Sequence, residues 1–203
     1  MFELITRGLF KRYDSGRWIL RDLNLHLYAG KRYGIGGGNG SGKSTLISLM
    51  AGLSMPTKGE VIHSMSGHLI EPMLWHRHMS MAAPYADLFD YLSVQEILEY
   101  SAKFKPWAEG LTTDDVVRIC KFEGRESLLT KQLSSGMKQR LRLGMAILTQ
   151  SSLLLLDEPL TNLDQENQNW FEELIARHCK ERCIVIASND LEDFARADEM
   201  INL

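Results

Sequence analysis

The sequence has 203 residues, of which 44% are hydrophobic and 24% are charged, so it can form one large globular domain. A formal net charge of −3 argues against a dedicated nucleic-acid-binding protein, which needs a strongly basic surface. No apolar run is long enough to span a bilayer, and the first residues lack the pattern of a secretory signal. Any role at a membrane would therefore need a separate membrane partner.

The first 36 residues predict β-structure. Leu23, Leu25 and Leu27 alternate with polar residues, which is the period of a strand with one buried face. Turn-forming residues lie on both sides of this strand, and Tyr13 comes just before the first turn. The three cysteines of the chain are an odd number, which is consistent with reduced thiols in the cytosol.

A glycine-rich segment with the pattern G-x-x-x-x-G-K-[ST] follows a predicted strand and precedes a predicted helix. Such a loop directs successive backbone N–H groups at a phosphate chain, and the helix N-terminus adds positive charge there. Lys43 would contact the outer phosphates, and the Ser44 hydroxyl would bind Mg²⁺. The predicted nucleotide-binding residues are Gly37, Gly38, Asn39, Gly40, Ser41, Gly42, Lys43, Ser44 and Thr45. A plain turn between strand and helix is the alternative, and the loop alone does not separate a kinase from a GTPase, a helicase or a transport motor.

The middle of the chain changes from mixed to helical patterning. Ser93 and Glu96 form a capping box at the start of one predicted helix, Pro106 ends it, and another helix is predicted from Thr113. Because this helical stretch interrupts an α/β pattern, we predict an inserted helical subdomain over about 93–135. The rest of residues 1–203 forms a single domain with it.

A second group of polar residues lies near the start of the next helix. The segment 133–140 reads Leu-Ser-Ser-Gly-Met-Lys-Gln-Arg, and apolar residues at helical spacing follow it. This pattern predicts a helix that begins beside Ser134 and Gly136. By itself, the serine pair would indicate no more than a helix N-cap.

Two carboxylates end a predicted buried strand. The segment 152–156 is apolar without alternation, as in a parallel sheet covered on both faces. Asp157 and Glu158 follow it, at the edge where α/β proteins place ligands. Asp157 can hold Mg²⁺ through water, and Glu158 can polarise an attacking water. In the alternative interpretation, these acids only cap the next turn.

Together and in this order, these motifs resemble the nucleotide-binding domain of ABC transporters over essentially the whole chain. The motifs are the phosphate loop at 37–44, the signature-like segment 133–140, the strand and acids at 153–159, and a D-loop-like Thr161-Asn162-Leu163-Asp164. The resemblance implies an α/β fold: a P-loop NTPase core with a parallel sheet, an N-terminal antiparallel β-subdomain and the inserted α-helical subdomain. Tyr13 occupies the position where the family stacks an aromatic ring on adenine.

The resemblance also implies a function. Such domains form head-to-tail dimers, in which ATP and Mg²⁺ lie between one subunit's phosphate loop and the other's signature motif, here Ser134 and Gly136. Closing and opening of the dimer drive an integral-membrane permease, which contacts the groove between the α/β core and the helical subdomain. We therefore expect an ATPase subunit that is cytoplasmic and peripheral on the inner face of the cell membrane. Its expected catalytic residues are Lys43, Glu158 and Asn189.

Two positions depart from the family pattern and predict slow hydrolysis. The family places a glutamine that binds Mg²⁺ and the attacking water at the start of the loop into the helical subdomain, where this chain has Pro84. It also places a histidine that contacts the γ-phosphate after the last core strand, where this chain has Asn189. An asparagine amide can donate a hydrogen bond to phosphate but never carries charge. Two alternatives stay open: an ATP-dependent regulatory module without transport, and a weakly hydrolysing partner subunit in a heterodimer.

Overall fold

The computed structural model describes residues 1–14, 16–84, 87–190, 194 and 196–203. Two sheets and a set of helices make up this part of the chain. The strands are β1 (Phe2–Lys11), β2 (Leu20–Tyr28), β3 (Arg32–Gly36), β4 (Lys58–Met65), β5 (His68–Ile70), β6 (Met79–Ala82), β7 (Leu153–Asp157), β8 (Cys183–Ala187) and β9 (Glu199–Asn202). The helices are α1 (Lys43–Met50), α2 (Trp75–His78), α3 (Val94–Phe104), α4 (Thr113–Ile119), α5 (Ser135–Leu148) and α6 (Gln165–His178).

The smaller sheet is antiparallel, with the strand order β2-β1-β4-β5. The five-stranded sheet has the order β6-β7-β8-β3-β9, and its strands pair in parallel. These two sheets confirm the predicted fold class. The alternating leucines of β2 explain its one-sided packing, because Leu27 is buried while its neighbour His26 is exposed.

The core lies on both faces of the parallel sheet. Leu154 and Leu156 of β7 pack into one cluster with residues of α3, α5 and α6. Leu153 and Leu155 of the same strand pack into another cluster with residues of α1, β1 and β2. Consecutive strand residues point to opposite faces, so a strand between two apolar layers needs an uninterrupted apolar run. This explains the lack of alternation in β7.

Helix boundaries follow local capping chemistry. The capping box predicted at Ser93 and Glu96 starts α3, and Pro106 follows two residues after its last residue, Phe104. A further capping box, between Thr112 and Asp115, starts α4. These helices form the stretch that interrupts the α/β core, as the sequence predicts. Within the described residues, no helix is long and apolar enough to cross a membrane.

Candidate functional site

The predicted phosphate loop connects β3 to α1, and its bends require glycine. Gly42 has a φ of +110°, and a Cβ atom there would lie 2.8 Å from Cγ2 of Ile19. Gly37 has a φ of +153°, and a Cβ there would lie 2.5 Å from the Ser41 hydroxyl oxygen. A residue with a side chain would be both strained and blocked at these two positions. The loop therefore turns back over the first turn of α1, as a phosphate-binding loop must.

Lys43 places its ammonium group inside this loop. The residue is 6% exposed. Its Nζ donates to the carbonyl oxygens of Gly37 at 2.8 Å and Gly38 at 3.2 Å, and to Oδ1 of Asn189. The lysine and the loop backbone thus form one compact unit below the first turn of α1.

Asp157 supplies a buried negative charge next to Ser44. The carboxylate residue is 2% exposed and ends β7, and its side chain has a hydrogen bond with the Ser44 side chain. Burial raises the pKa of Asp157; the bond to Ser44 and the charge of Lys43 oppose this rise, while Glu158 adds to it. Oδ1 of Asp157 is buried and has no hydrogen-bond partner among the described residues. A hydroxyl and a carboxylate with a spare oxygen are the ligands that Mg²⁺ prefers, so the residues fit a divalent cation.

Glu158 is held in an unusual backbone conformation directly after Asp157. Its φ is +50°, in the left-handed region that glutamate rarely adopts. Two hydrogen bonds stabilise this conformation. The N–H of Glu158 donates to the carbonyl of Ala187 at 2.8 Å, and its carboxylate accepts from the Ser188 hydroxyl at 3.1 Å. Such conformations concentrate at functional sites, where they orient a side chain.

The loop, Lys43, Ser44 and Glu158 meet at one cavity of about 270 Å³, and Asp157 adjoins it through its bond to Ser44. Its lining brings together the phosphate loop, the start of α1, Glu158 and Asn189, which are far apart in the sequence. The lining residues are Ile19, Asn39, Gly40, Gly42, Lys43, Ser44, Thr45, Glu158 and Asn189. A second cavity of about 740 Å³ shares Ile19, Asn39 and Gly40 with it and extends to Trp18. The two cavities are neighbours, with sizes suited to a phosphate chain and an attached group.

Tyr13, the predicted adenine-stacking residue, lies outside the described lining of both cavities. Its side chain is 52% exposed, and the Lys11 ammonium lies 4.8 Å from its ring centroid. Trp18 is an aromatic residue that the sequence reasoning did not single out, and it lines the larger cavity. Arg12 lies 4.7 Å from the Trp18 ring centroid. The sequence signal for Trp18 was an aromatic residue directly after Arg17 and two residues ahead of β2.

The signature-like segment forms the N-terminus of α5. Ser134 is the exposed N-cap, and its hydroxyl accepts the N–H of Met137 at 3.3 Å. Gly136 lies close to the chain after β7, since a Cβ there would be 3.1 Å from the carbonyl oxygen of Asn162. Among the described residues that line the cavity at the phosphate loop, neither Ser134 nor Gly136 occurs. Within one chain, the structure does not bring these two predicted sites together.

The two departures from the family pattern occupy different environments. Pro84 is exposed, two residues beyond the end of β6. Asn189 follows β8 and lines the cavity, in contact with Lys43. The proline has neither an N–H nor a side-chain acceptor to offer a bound group, whereas the asparagine amide is in position to interact with one.

Gln139 is a functional candidate that the sequence reasoning missed. It is 7% exposed in α5, and its side-chain amide donates to the carbonyl of Pro159 at 2.8 Å and that of Glu158 at 3.4 Å. It therefore ties the helix of the signature segment to the backbone that carries Glu158. A buried polar residue on an amphipathic helix was the available signal, but its partners are 19 and 20 residues away.

Comparison with known families identifies the domain. The family model described as ABC transporter matches residues 20–161, which include the phosphate loop, the signature segment and both acids. This chain belongs to the ABC transporter family. It carries the ATP-binding domain of that family, whose members include the ATPase components of transporters.

Relatives include large and small proteins. The chain is 32% identical over 190 residues to human phospholipid-transporting ATPase ABCA3. The matched region covers 91% of this chain and 11% of the relative. It is 30% identical over 199 residues to the petrobactin import ATP-binding protein FpuC of Bacillus anthracis, covering 92% of this chain and 72% of the relative. The chain thus spans about a tenth of the length of the ABCA-type relative.

A solved structure with the same fold is the dimeric bacterial ABC transporter cassette MJ0796. The TM-score is 0.84, and the match covers 98% of this chain and 94% of the cassette. At 20% identity, this likeness concerns the fold alone. It confirms that the parallel sheet, the antiparallel sheet and the helical stretch form the fold of an ABC ATPase.

Proposed function

We propose that the chain is the ATP-binding and ATP-hydrolysing subunit of an ABC transporter, which forms a head-to-tail dimer around ATP and drives a separate membrane permease. One observation carries this proposal. The glycine-shaped loop, the buried lysine, Ser44 and the strained Glu158 meet at one cavity, and Asp157 adjoins them through its hydrogen bond with Ser44. Family membership supports ATP as the ligand, because the matched domain includes all four features.

The binding roles divide among the loop residues and Asp157. Backbone N–H groups of residues 37–45 would surround the phosphates, with Lys43 adding positive charge. Ser44 would bind Mg²⁺ directly and Asp157 would hold it through water, and the bound ion would neutralise charge on the phosphates. Tyr13 would stack on the adenine ring. The spare buried oxygen of Asp157 supports the cation site, because an unpartnered buried carboxylate oxygen is costly.

Glu158 would act as the general base for the attacking water. Glu158 lines the same cavity as Lys43 and Ser44. Its carboxylate accepts hydrogen bonds from the Ser188 hydroxyl and the Asn189 N–H, at 3.1 and 3.4 Å. These contacts fix the orientation of the side chain, and they are weak enough to exchange for water.

The dimer proposal rests on the separation of two groups of residues within one chain: those at the phosphate-loop cavity and those at the start of α5. Ser134 and the N-terminus of α5 have the chemistry to receive a γ-phosphate, since helix N-termini attract anions. In the described structure they do not line their own chain's cavity. A second copy, or a related subunit, placed head-to-tail would supply Ser134 and Gly136. The dimeric state of the cassette MJ0796 is consistent with this arrangement.

Hydrolysis would be slow because two supporting groups are absent. Pro84 cannot hold the attacking water, and Asn189 is shorter than histidine and always neutral. Loss of one preorganised polar contact costs roughly a hundredfold or more in rate. The same two positions favour a second candidate function, a weakly hydrolysing partner in a heterodimer. The presence of Glu158 supports the active subunit instead.

The permease would contact the groove between the core and the helical subdomain. A cavity of about 340 Å³ lies there between β6, α3 and α5. Phe89, Tyr100 and Phe104 line it while remaining 59%, 44% and 74% exposed. Exposed aromatic residues of this kind are typical of interaction surfaces. This contact would hold the chain on the cytoplasmic face of the membrane.

Two measurements test the proposal. Titration calorimetry with ATP and Mg²⁺ should show binding, and phosphate release should be detectable but slow. Absence of binding would contradict the assignment of the site. Purification after mild detergent extraction should recover a protein with several membrane spans, whereas recovery of the chain with soluble proteins alone would favour the regulatory module without transport.

A further inference from the structure

The ammonium group of Lys43 has an acceptor for each of its donors. A lysine has three N–H donors, and three oxygens accept from this one: the carbonyls of Gly37 and Gly38, and Oδ1 of Asn189. Because the residue is also 6% exposed, water cannot easily replace these partners. A phosphate oxygen can reach the ammonium only if one acceptor leaves.

Asn189 is the acceptor that comes from outside the loop. It lies beyond the end of β8, and its sequence separation from Lys43 is 146 residues. The other end of its amide, Nδ2, donates to Oδ1 of Asn39 at 2.7 Å. One side chain thus bridges two residues of the phosphate loop; this arrangement of Lys43, Asn189 and Asn39 is called the Asn189 bridge below.

The two ends of the bridge have matching chemistry. The amide oxygen of Asn189 faces a cation that donates, and the amide nitrogen faces an oxygen that accepts. An aspartate could bond Lys43 but would oppose the oxygen of Asn39. Asparagine therefore satisfies both partners at once.

The bridge lies over the place where phosphate would bind. Asn39, Lys43 and Asn189 all line the cavity above the start of α1. The backbone of Asn189 is fixed at the same time, since its N–H donates to the Glu158 carboxylate at 3.4 Å. Asn189 thus contacts the lysine through its side chain and the candidate base through its backbone.

We propose that the Asn189 bridge is an autoinhibitory contact, which a nucleotide's phosphates must break before they can bind Lys43. This inference rests on the proposed function of the cavity in nucleotide binding. A closed bridge lowers the apparent affinity by the fraction of molecules that are open. In this role, Asn189 competes with phosphate for Lys43 and does not contribute to phosphate binding.

The sign of the effect of Asn189 substitutions tests the proposal. Asn189→Ala removes the competitor, so ADP and a non-hydrolysable ATP analogue should both bind about three- to tenfold more tightly. Asn189→Asp should bind both more weakly, because its carboxylate pairs with Lys43 and repels phosphate. Calorimetry with Mg²⁺ measures these constants, and exposed Asn169→Ala in α6 is the matched control that should change nothing. Thermal unfolding checks that each variant folds.

The outcomes distinguish a failure of the autoinhibitory contact from a failure of the proposed nucleotide-binding function. If Asn189→Ala binds the nucleotides as the wild type does, or more weakly, the autoinhibitory contact is wrong and the nucleotide site stands. An analogue-specific loss in Asn189→Ala, with ADP unaffected, would assign Asn189 to the γ-phosphate instead. If neither the wild type nor Asn189→Ala binds either nucleotide, the proposed function fails and the contact fails with it.

Discussion

Lys43 and Asp157 carry opposite charges in one buried region, and the surroundings of each determine what the site can bind. Lys43 uses its three donors on loop carbonyls and Asn189. Asp157 keeps one buried oxygen without a hydrogen-bond partner among the described residues, and burial raises the pKa of this carboxyl group. A cation next to Asp157 would pair with its spare oxygen, and an anion could take the place of Asn189 at Lys43, which is the combination that Mg²⁺ and a phosphate chain provide.

Substitution of Lys43 tests the binding claim at the level of one side chain. Lys43→Ala removes the charge that would contact the outer phosphates, so ATP binding should weaken by at least about tenfold, as expected for a lost charged hydrogen bond of about 1.5–3 kcal/mol. Calorimetry with ATP and Mg²⁺ measures the change. Lys103→Ala, an exposed lysine of α3, is the control. Unchanged affinity in Lys43→Ala would refute the phosphate-loop assignment.

Substitution of Asn189 with histidine tests the cause of slow hydrolysis. Histidine is longer than asparagine and can carry charge, so Asn189→His should restore the missing γ-phosphate contact. We expect phosphate release to accelerate by about tenfold or more. Steady-state phosphate release at saturating ATP provides the measurement. An unchanged rate would mean that another group already supplies this contact.

The chemistry-bearing residues of the site could be predicted from the sequence, but their present partners could not. Lys43, Ser44, Asp157 and Glu158 were identifiable because each belongs to a short local motif. The bond between Asn189 and Lys43, and that between Gln139 and Pro159, join residues far apart in the chain. No local pattern encodes such pairs. Likewise Arg140, a charged residue of α5, is 9% exposed, and its guanidinium carbon lies 5.3 Å from the centroid of the Phe122 ring.

At the scale of elements, His63 of β4 fixes the C-terminal end of α1. It is 1% exposed, and its Nε2 lies 3.0 Å from the carbonyl of Met50, the last residue of that helix. Its ring stacks on Trp75 with centroids 3.9 Å apart. The pKa of His63 is lowered to about 4, mainly by burial; the bond to Met50 opposes this fall and the charge of His78 adds to it. The antiparallel sheet is thereby bonded to the helix that carries the phosphate loop.

This neutral histidine predicts acid sensitivity. The pKa of His63 is about 4 in the fold and about 6.5 in the unfolded chain, so the unfolded state binds more protons between these values. Stability should therefore fall as the pH drops from 6.5 to 4, by up to about 3 kcal/mol. Urea unfolding of the wild type and His63→Phe at pH 7, 5.5 and 4.5 measures this fall.

His63→Phe keeps an aromatic ring beside Trp75 but cannot titrate, so it should lose less stability on acidification than the wild type does. Exposed His26→Phe on β2 is the matched control and should follow the wild type. Parallel acid curves for the wild type and His63→Phe would contradict the assignment of the effect to His63.

Helix α5 is bonded to the segment after β7 through Gln139. The exchange Gln139→Leu preserves the approximate volume but removes both donors, leaving the carbonyls of Glu158 and Pro159 without this partner. We expect a loss of about 1–3 kcal/mol in the free energy of unfolding, and slower phosphate release because the backbone of Glu158 is less fixed. Gln165→Leu on the exposed start of α6 is the control. An unchanged free energy of unfolding in Gln139→Leu would show that these hydrogen bonds do not stabilise the fold.

Elements with a clear apolar pattern could be predicted from the sequence, and elements of four residues could not. Strand β8, Cys183–Ala187, is an apolar run without alternation, which is the pattern that predicts β7. Strands β6 and β9 and helix α2 have four residues each, too few for a period to show. In β9, three of the four residues are exposed. Its pairing with β3 depends on the tertiary fold and not on local pattern.

At the scale of the whole molecule, the proposed ATP site has two halves, the phosphate loop and the signature segment, which belong to different parts of the fold. The phosphate loop extends from β3 of the central sheet, and the signature segment begins α5 on one of its covered faces. Because Ser134 is exposed and absent from the described lining of its own chain's cavity, the site that we propose takes Ser134 from another subunit. The central claim is therefore that ATP joins two copies of this chain.

Glu158→Gln tests that claim most directly. The glutamine keeps the shape of the side chain but cannot act as a base, so bound ATP should persist and the ATP-joined dimer should accumulate. Size-exclusion chromatography with ATP and Mg²⁺ should show Glu158→Gln at twice the monomer mass, while ADP, or the added change Lys43→Ala, should leave it monomeric. A Glu158→Gln protein that binds ATP and still elutes as a monomer would contradict the account.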